Sequence, residues 1–456
     1  MNIWKKRIPL ILLALAWLNL PAHSQEGNPL QFISGVSQSS LTNPAFQNET
    51  EQLVVGLPLL SGVWIDWNAN FSMDYIFSQN FEYSFDHFYN ELGKPGEELG
   101  TALIPILYLS LKNDNQNFSF SVSDRIFTKS HFDHEILKFI DQGLSPSYGN
   151  EAEYGPVSTH IFHYREIALG WSKQIWEGFN FGVRPKVLFG RLYYDMTDMH
   201  FSVKTDSDKG QLLLEPSGAY RIAGPFDVSY NETLDATTIR PNPDITDYFF
   251  NFRNLGAAVD FGISYRKQNT EFSVSVTDLG FLTFKHKTYD VEFTDALHFG
   301  SGSLYQSSDN EKENYKEPKI ALQELMDSIP YVITARPVTE RMIEQIPVKL
   351  NATVKQKVTD KTKVGFSGQL TYFDSNIRNF LTGFMHTRLG DRFNLAGTIS
   401  LLDFEKILPG VGASYTAKNA QFYLSANNIT GLVKPSSAKY LNLCFGVNFL
   451  FSTRQK

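Results

Sequence analysis

The sequence predicts an all-β fold: a transmembrane antiparallel up-and-down β-barrel of about fourteen strands, with an N-terminal plug segment and short loop helices. Three observations predict this fold. Segments of about ten residues alternate apolar and polar side chains, short polar turns alternate with longer connections, and no run of about eighteen apolar residues follows the N-terminal region. Short turns at one end and long loops at the other are typical of barrels that cross an outer membrane.

Fourteen segments carry the alternation. In the last of them Phe445, Val447 and Phe449 share one face, while Gly446 and Asn448 lie on the other. A soluble β-sandwich also alternates, but its exposed faces usually carry Lys, Glu and Thr rather than Gly and Ser. The predicted strands are residues 63–73, 103–111, 118–126, 161–172, 179–191, 255–265, 271–279, 346–357, 364–373, 380–388, 393–402, 410–416, 421–428 and 440–451.

The N-terminus predicts export. Lys5, Lys6 and Arg7 precede a short apolar run, and Ala22 and Ser24 supply the small residues of a cleavage site. We therefore expect a signal peptide at 1–24, a plug segment at 25–52 and a barrel at 53–456 with long extracellular loops at 192–254 and 280–345. An even number of strands predicts that both termini are periplasmic, in the outer membrane of a Gram-negative bacterium.

Composition narrows the function. The formal net charge is −7, and it becomes −10 once the three basic residues of the signal peptide are removed. This balance does not favour a nucleic-acid partner. Cys444 is the only cysteine, so no intramolecular disulfide can form. The sequence has no phosphate-binding glycine loop or nucleophile elbow, so it predicts neither an enzyme nor a cofactor.

Ionisable residues on the strand faces that carry small or polar side chains are the candidates for charges inside the lumen. Charge facing lipid is costly, so we expect these side chains to point inward and to pair with one another or with the plug. An anion-conducting lumen is the alternative. The candidates are Arg184, Lys186, Asp260 and Lys349, joined by Glu166 and Lys355.

The long loops contain two further candidates. Leu322, Leu325, Met326 and Ile329 form an apolar stripe that lines either a ligand groove or the contact of the loop with the barrel mouth. The histidines His131, His134, His160 and His163 form the densest histidine group, with Ser130 as the cap of a helix that carries the first two. Solvated loop residues explain this group better than a metal site does, so we predict no metal.

The segment Ser39-Ser40-Leu41-Thr42-Asn43-Pro44-Ala45-Phe46 resembles the N-terminal region of FadL-type barrels, the long-chain fatty-acid transporters. Residues 55–62, 70–72 and 346–351 are similar to an uncharacterised Bacteroidota family of outer-membrane barrels related to FadL and to the secretion-associated PorV proteins. The resemblance spans essentially the whole mature chain.

The resemblance implies a fourteen-stranded barrel whose lumen is closed by a plug at Asn43, Pro44 and Ala45, which caps the barrel floor or shifts when a ligand arrives. It also implies passive uptake of a small hydrophobic, fatty-acid-like molecule. The alternative is a scaffold that holds exported proteins at the outer leaflet without transport. The expected partners are therefore outer-membrane lipid and either a hydrophobic small molecule or exported proteins.

Overall fold

A computed structural model describes residues 29–33, 35–48, 52–72, 95–133, 152–206, 211–233, 235–241, 252–300, 328–374, 376–435 and 437–452. The predicted signal peptide lies outside these residues. The described strands are β1 (Gln52–Ala69), β2 (Gly96–Asn113), β3 (Gln116–Phe132), β4 (Ala152–Trp176), β5 (Phe179–Asp206), β6 (Gln211–Ser217), β7 (Ala219–Ala223), β8 (Phe226–Asn231), β9 (Ala236–Pro241), β10 (Leu255–Lys267), β11 (Thr270–Phe284), β12 (Thr288–Phe293), β13 (Leu297–Gly300), β14 (Ile333–Pro337), β15 (Met342–Gln345), β16 (Val348–Lys357), β17 (Thr362–Phe373), β18 (Asn376–Leu389), β19 (Phe393–Leu402), β20 (Lys406–Ala417), β21 (Ala420–Ala426) and β22 (Tyr440–Ser452).

Fourteen of these strands, β1 to β5, β10, β11 and β16 to β22, form a closed antiparallel barrel. Each pairs with the next one around the wall, and β1 pairs with β22 to complete the ring. Six hairpin turns of two to four residues lie at one end, which we call the turn end. The opposite loop end carries the longer connections, together with two short turns that link β17 to β18 and β19 to β20. Gln52 and Ser452 are also paired at the turn end. The predicted fourteen-stranded barrel is confirmed.

The strands form because their alternation suits a wall with two different faces. On β11, Phe272 and Val274 are exposed on the outer surface, while Ser273 and Ser275 are buried toward the lumen. The same pattern along the other wall strands gives an apolar outer surface and a polar interior, as a transmembrane barrel requires. Among the described residues, no helix is long and apolar enough to cross a membrane.

Most wall strands extend beyond their predicted starts or ends, and in two of them β-bulges interrupt the alternation. β1 begins at Gln52 rather than 63, and its register shifts between Gly56 and Ser61. Leu59, with φ of +62°, lies in this bulge and is exposed on the outer surface. β5 continues past residue 191 to Asp206 after a second bulge at that position. An extra residue in one strand changes which face the following side chains occupy.

The predicted loops at 192–254 and 280–345 contain far more β-structure than we expected. The far part of β5, with β6, β7, β12, β13 and β14, extends one side of the wall beyond the barrel mouth. The hairpin β8–β9 forms a separate two-stranded sheet. Val203, Leu214, Ile222 and Val291 form the core of this extension.

The described helices are short, as the fold class predicts. An α-helix, α1, spans Ile429–Val433, and 3-10 helices span Pro29–Phe32, Ser37–Leu41 and Ile329–Tyr331. The prediction that Ser130 caps a helix is wrong, because β3 continues through Ser130 and His131 to Phe132. Pairing with β2 and β4 on both sides supplies the backbone hydrogen bonds that hold these residues in a strand.

Candidate functional site

A large cavity of about 1250 Å³ opens at the loop end of the barrel. We call it the outer vestibule. Its walls combine polar and apolar surface. Several of its charges lie in pairs: Lys129 is 2.5 Å from Asp374, and Arg378 is 2.9 Å from Asp403. Lys406 donates a hydrogen bond of 2.7 Å to the side-chain oxygen of Asn68. A cavity of this size with a polar rim is large enough to hold a small organic molecule.

Aromatic side chains form the floor of the outer vestibule. Phe127, Phe162 and Phe373, which we call the aromatic floor, have ring centroids 4.6 to 5.9 Å apart. Phe127 and Phe162 are almost fully buried. They belong to a buried apolar cluster to which β2, β4, β5, β10 and β11 also contribute. Polar solutes that enter the vestibule therefore meet an apolar barrier at its base.

His160 sits on the aromatic floor and connects it to two carboxylates. Its Nδ1 is 3.0 Å from Asp195, and its Nε2 is 3.5 Å from Glu344. The turn that follows β4 begins about seventeen residues after His160. A barrel strand needs about nine to eleven residues to cross the membrane, so His160 lies beyond the membrane-spanning part of β4. Burial lowers the pKa of His160, but the hydrogen bonds and charges of Asp195 and Glu344 outweigh burial and raise it to about 9.

Below the aromatic floor lies a buried network of charges from β3, β4, β5, β10 and β11. We call it the lumen charge network. Asp260 is central: its oxygens lie 2.6 Å from Arg184 and 2.8 Å from Lys186. Lys186 also contacts Asp278 at 2.5 Å. Its six members are Arg125, Glu166, Arg184, Lys186, Asp260 and Asp278, with Arg125 3.0 Å from Glu166.

Three cations and three carboxylates balance in this network, so these predicted lumen charges lie inside the barrel and are paired. Lys349 also lies in the lumen, with its ammonium 5.3 Å from the ring centroid of Trp64. Two cavities of about 30 Å³ each adjoin Trp64, Arg125 and Lys349. Each has room for water but not for a larger solute.

The N-terminal segment fills the lumen between this network and the turn end. We call its described residues, 29–33 and 35–48, the plug. Asn43, Pro44 and Ala45 are buried and rest against the facing glycines Gly182 and Gly262, which are register partners on β5 and β10. A Cβ at Gly182 would collide with the Pro44 backbone, and a Cβ at Gly262 would stand 3.0 Å from Asn43 Cγ. Glycine at both positions lets the plug approach the wall closely.

Polar contacts fix this part of the plug. The Asn43 side chain donates to the backbone oxygens of Ile263 and Val274 at 3.3 and 3.4 Å and accepts from the Ala45 N–H at 2.9 Å. Arg184 of the lumen charge network donates to the Leu41 carbonyl at 3.4 Å. The charge network and the plug are therefore directly connected.

Other plug residues contact the opposite wall. Phe32 stacks on Phe384 of β18 with 4.4 Å between ring centroids. Gln38 and Asn448 exchange two side-chain hydrogen bonds of 2.7 and 2.9 Å, and Tyr108 donates to the Ser37 carbonyl at 2.8 Å. The plug thus bonds to strands around the ring, from β2 to β22.

A second cavity, of about 460 Å³, lies on the turn-end side of the plug. We call it the turn-end basin. Plug residues Phe32, Ile33 and Phe46 form part of its lining, together with polar and charged residues from the ends of the wall strands. The lumen is therefore a passage interrupted twice, by the aromatic floor and by the plug, with a cavity at each end.

The remaining predicted site residues fall in different places. Leu322, Leu325 and Met326 lie outside the described residues. Ile329 packs against the core of the sheet extension. His131 lines the outer vestibule, whereas His163 lies beside Asp124 at 3.8 Å. Among the described residues, no group of three or more His, Cys, Asp or Glu side chains is arranged to hold a metal ion.

Sequence reasoning did not select several residues of this site. Arg125 follows the inward-facing Ser121 and Ser123 by two-residue steps, so the alternation alone points to it. Asp278 gives no such signal, because a register shift between β10 and β11 places both Thr277 and Asp278 among the buried residues. The role of Gly182 and Gly262 depends on the position of the plug, which the strand pattern does not contain.

Comparison with known proteins gives one family and several barrels. Solved structures with a similar fold include the Ralstonia pickettii toluene transporter TbuX, at 10% identity and TM-score 0.45 over 94% of this chain and 98% of that one. They also include the Pseudomonas putida toluene transporter TodX, at 9% identity and TM-score 0.41 over 94% and 98%. A Pseudomonas aeruginosa FadL homologue matches at 9% identity and TM-score 0.41 over 92% and 95%.

No curated protein sequence matches the chain. A family model described as "Family of unknown function (DUF5723)" matches residues 44–427. The match begins at Pro44 in the plug and ends beyond β21, so it includes nearly the whole barrel. The protein therefore belongs to DUF5723, a family whose function is unknown.

Proposed function

We propose that this protein is an outer-membrane barrel that takes up a small hydrophobic molecule by passive transport, with its turn end and both termini in the periplasm. The interrupted lumen is the observation that carries the proposal. A barrel that only supported the membrane would need no large cavity at either end, and a general porin would have an open channel. Here the outer vestibule and the turn-end basin lie at opposite ends of a lumen that is closed by the aromatic floor and by the plug.

The aromatic floor supports a hydrophobic substrate. A molecule that passes from the outer vestibule must move between Phe127, Phe162 and Phe373, where a sugar or ion would lose its hydration without compensation. An apolar molecule gains contact with these rings instead. The TbuX and TodX barrels are described as toluene transporters, and a substrate of that general kind suits this floor.

The plug supports transport in steps. Among the described residues, its side chains and backbone contact the wall through hydrogen bonds, one aromatic stack, one cation–π contact and close backbone packing. Asn43, Pro44 and Ala45 move together away from Gly182 and Gly262 when the substrate enters the lower lumen, and return once it has left. The bulge at Gly56–Ser61 lies in the wall beside the plug, because Gln38 donates to the Ser61 carbonyl at 3.3 Å.

A reversible disulfide tests this function. In a Cys444→Ser background, Asn43→Cys with Gly262→Cys places two cysteines where the 3.0 Å approach suits a disulfide. We expect oxidised cells to take up a radiolabelled alkane or fatty acid no faster than cells without the barrel. A reductant should restore uptake in this variant and leave the Cys444→Ser parent unaffected.

Equal uptake by oxidised and reduced cells would show that the plug does not gate the passage. If liposomes that contain the unmodified protein swell rapidly in maltose, the sugar passes through the barrel, which would contradict a closed lumen. The scaffold function stays a prediction from the sequence resemblance. A stable exported protein in pull-downs, together with no barrel-dependent uptake, would support that function instead.

A further inference from the structure

The turn-end basin has an unusual charge composition. Among the described residues that line it, four are lysine or arginine and one is acidic, Glu271, which leaves a formal excess of three positive charges. The cations are Lys112, Arg266, Lys355 and Lys363, with His386 also in the lining. The whole chain has the opposite balance, with a formal net charge of −7. The basin therefore concentrates positive charge in an acidic protein.

The cations come from neighbouring strands and converge on one carboxylate. Glu271 pairs in register with Arg266 across the β10–β11 hairpin and with Lys355 on β16. Its oxygens lie 2.5 Å from the Arg266 guanidinium and 3.6 Å from the Lys355 ammonium. Lys363 is on the next strand, β17. Arg266 and Lys355 thus share one carboxylate.

Lys355 is much more enclosed than Arg266, whose side chain is 65% exposed. Its side chain is 17% exposed, and its ammonium lies 4.4 Å from the ring centroid of Phe46 in the plug. Like charges brought together in a confined space repel one another, and water screens them less than at an open surface. A bound anion would relieve this repulsion.

The shape of the basin suits a small ligand. Its volume of about 460 Å³ is within the usual range for small-molecule sites. Phe46 supplies most of the apolar surface on the plug side, since Phe32 and Ile33 are almost fully buried, and the cations lie near the strand ends. The lining can therefore hold a charged group and a short apolar portion at the same time.

We propose that the turn-end basin is an anion-binding site for a phosphate or carboxylate group on a small molecule. Arg266 and Lys355 contact the anion, and Phe46 packs against the remainder of the ligand. This site stands on the charges and shape of the basin alone and does not require that the barrel transports anything.

Calorimetry on the full-length protein in uncharged detergent tests the proposal with three probes: inorganic phosphate, butyrate and the neutral butanol. We expect phosphate or butyrate to bind and butanol not to bind. Lys355→Gln should weaken anion binding roughly 5- to 20-fold, because a hydrogen bond to a charged group is lost. Added salt should weaken it further. Lys361→Gln is the matched control, since Lys361 lies in the adjoining β16–β17 turn but does not line the basin.

Glu271→Gln provides a result that misfolding cannot imitate. Removing the one acidic side chain of the described lining should strengthen anion binding several-fold. Binding of phosphate alone would identify a phosphate-type ligand, and binding of butyrate alone would identify a carboxylate; both results support the site. The proposal is overturned if neither anion binds, if butanol binds as tightly as butyrate, or if Lys361→Gln weakens binding as much as Lys355→Gln.

Discussion

The aromatic floor is built from side chains of the barrel wall, whereas the plug is a separate piece of chain that enters the lumen from the turn end. Phe127, Phe162 and Phe373 cannot leave the passage, so that barrier opens only by side-chain rotation. The plug can move as a unit because the contacts that hold it are hydrogen bonds, packing, one aromatic stack and one cation–π contact. Side-chain rotation is much faster than the displacement of a segment. The two barriers therefore differ in speed and in what controls them.

We expect the largest effect from a substitution in the lumen charge network, which tests how much this network contributes to the stability of the barrel next to the plug. Asp260→Asn leaves Arg184 and Lys186 buried with too little negative charge, which should destabilise the barrel by about 3–5 kcal/mol. Gel mobility after stepwise heating, which separates folded from unfolded barrel, measures the change. Asp360→Asn is the control, because Asp360 is 95% exposed in its pair with Lys357. Equal melting of both variants would mean that the network contributes little.

The next substitution is at Gly262, against which the plug packs, and it distinguishes the contribution of the plug from that of the aromatic floor. Gly262→Leu places a side chain where Asn43 now packs, and overpacking of about 1–3 kcal/mol should shift the plug out of its seat. Gly397→Leu is the control, because a Cβ there meets no atom within 4 Å. Small sugars should stay excluded from liposomes of both variants, because the aromatic floor still closes the lumen after the plug is displaced. Sugar entry for Gly262→Leu alone would assign the permeability barrier to the plug.

If Gly262→Leu liposomes remain closed to sugars, the aromatic floor alone seals the lumen. The added substitution Phe162→Ala should then open them. This outcome would assign the permeability barrier to the wall side chains rather than to the plug.

The pH dependence of stability tests the barrier at the loop end. The pKa of His160 is raised from 6.5 to about 9, so its ion pairs contribute fully below about pH 6.5 and are lost as the pH rises through 9. The contribution is about 1–2 kcal/mol after allowance for the partly exposed Asp195. Thermal unfolding in detergent from pH 6 to 10 should show a loss of stability that His160→Gln lacks. Parallel curves for both proteins would remove His160 from this role.

The smallest expected effect concerns the stack between plug and wall. Phe32→Leu and Phe384→Leu, alone and combined, form a double-mutant cycle on unfolding free energy. The coupling should be about 0.5–1.5 kcal/mol, as for other aromatic pairs. Coupling near zero would show that the plug is retained by its polar contacts and by its close packing against Gly182 and Gly262.

The wall was predictable from sequence because each strand carries its own signal. Phe272, Ser273 and Val274 alternate as the pairing requires, and short polar turns separate the strands. The same alternation placed Arg184 and Lys186 inside the lumen. The alternation is interrupted at bulges. For this reason the first part of β1, before the bulge around Pro58, and the extension of β5, after the bulge at Arg191, were not predicted.

The candidate site was less predictable because it depends on contacts between distant parts of the chain. The pairing of Lys186 with Asp278 joins residues 92 positions apart. Gln38 and Asn448, which fasten the plug to the last strand, are 410 positions apart. No local pattern reports such a contact. Asn43, Pro44 and Ala45 were recognised from a family resemblance, but the glycines that receive them could not be identified until the plug had a place.

The contact between Gln38 and Asn448 has a consequence for assembly. The plug precedes β1, and the ring closes only when β22 pairs with β1. Asn448 lies in that closing strand, so Gln38 gains its partner at the end of synthesis and insertion. The plug contacts on β5 and β10 can form earlier. The hydrogen bonds between Gln38 and Asn448 therefore cannot form before the closing strand is in place, so the plug gains its full set of wall contacts only in the closed barrel.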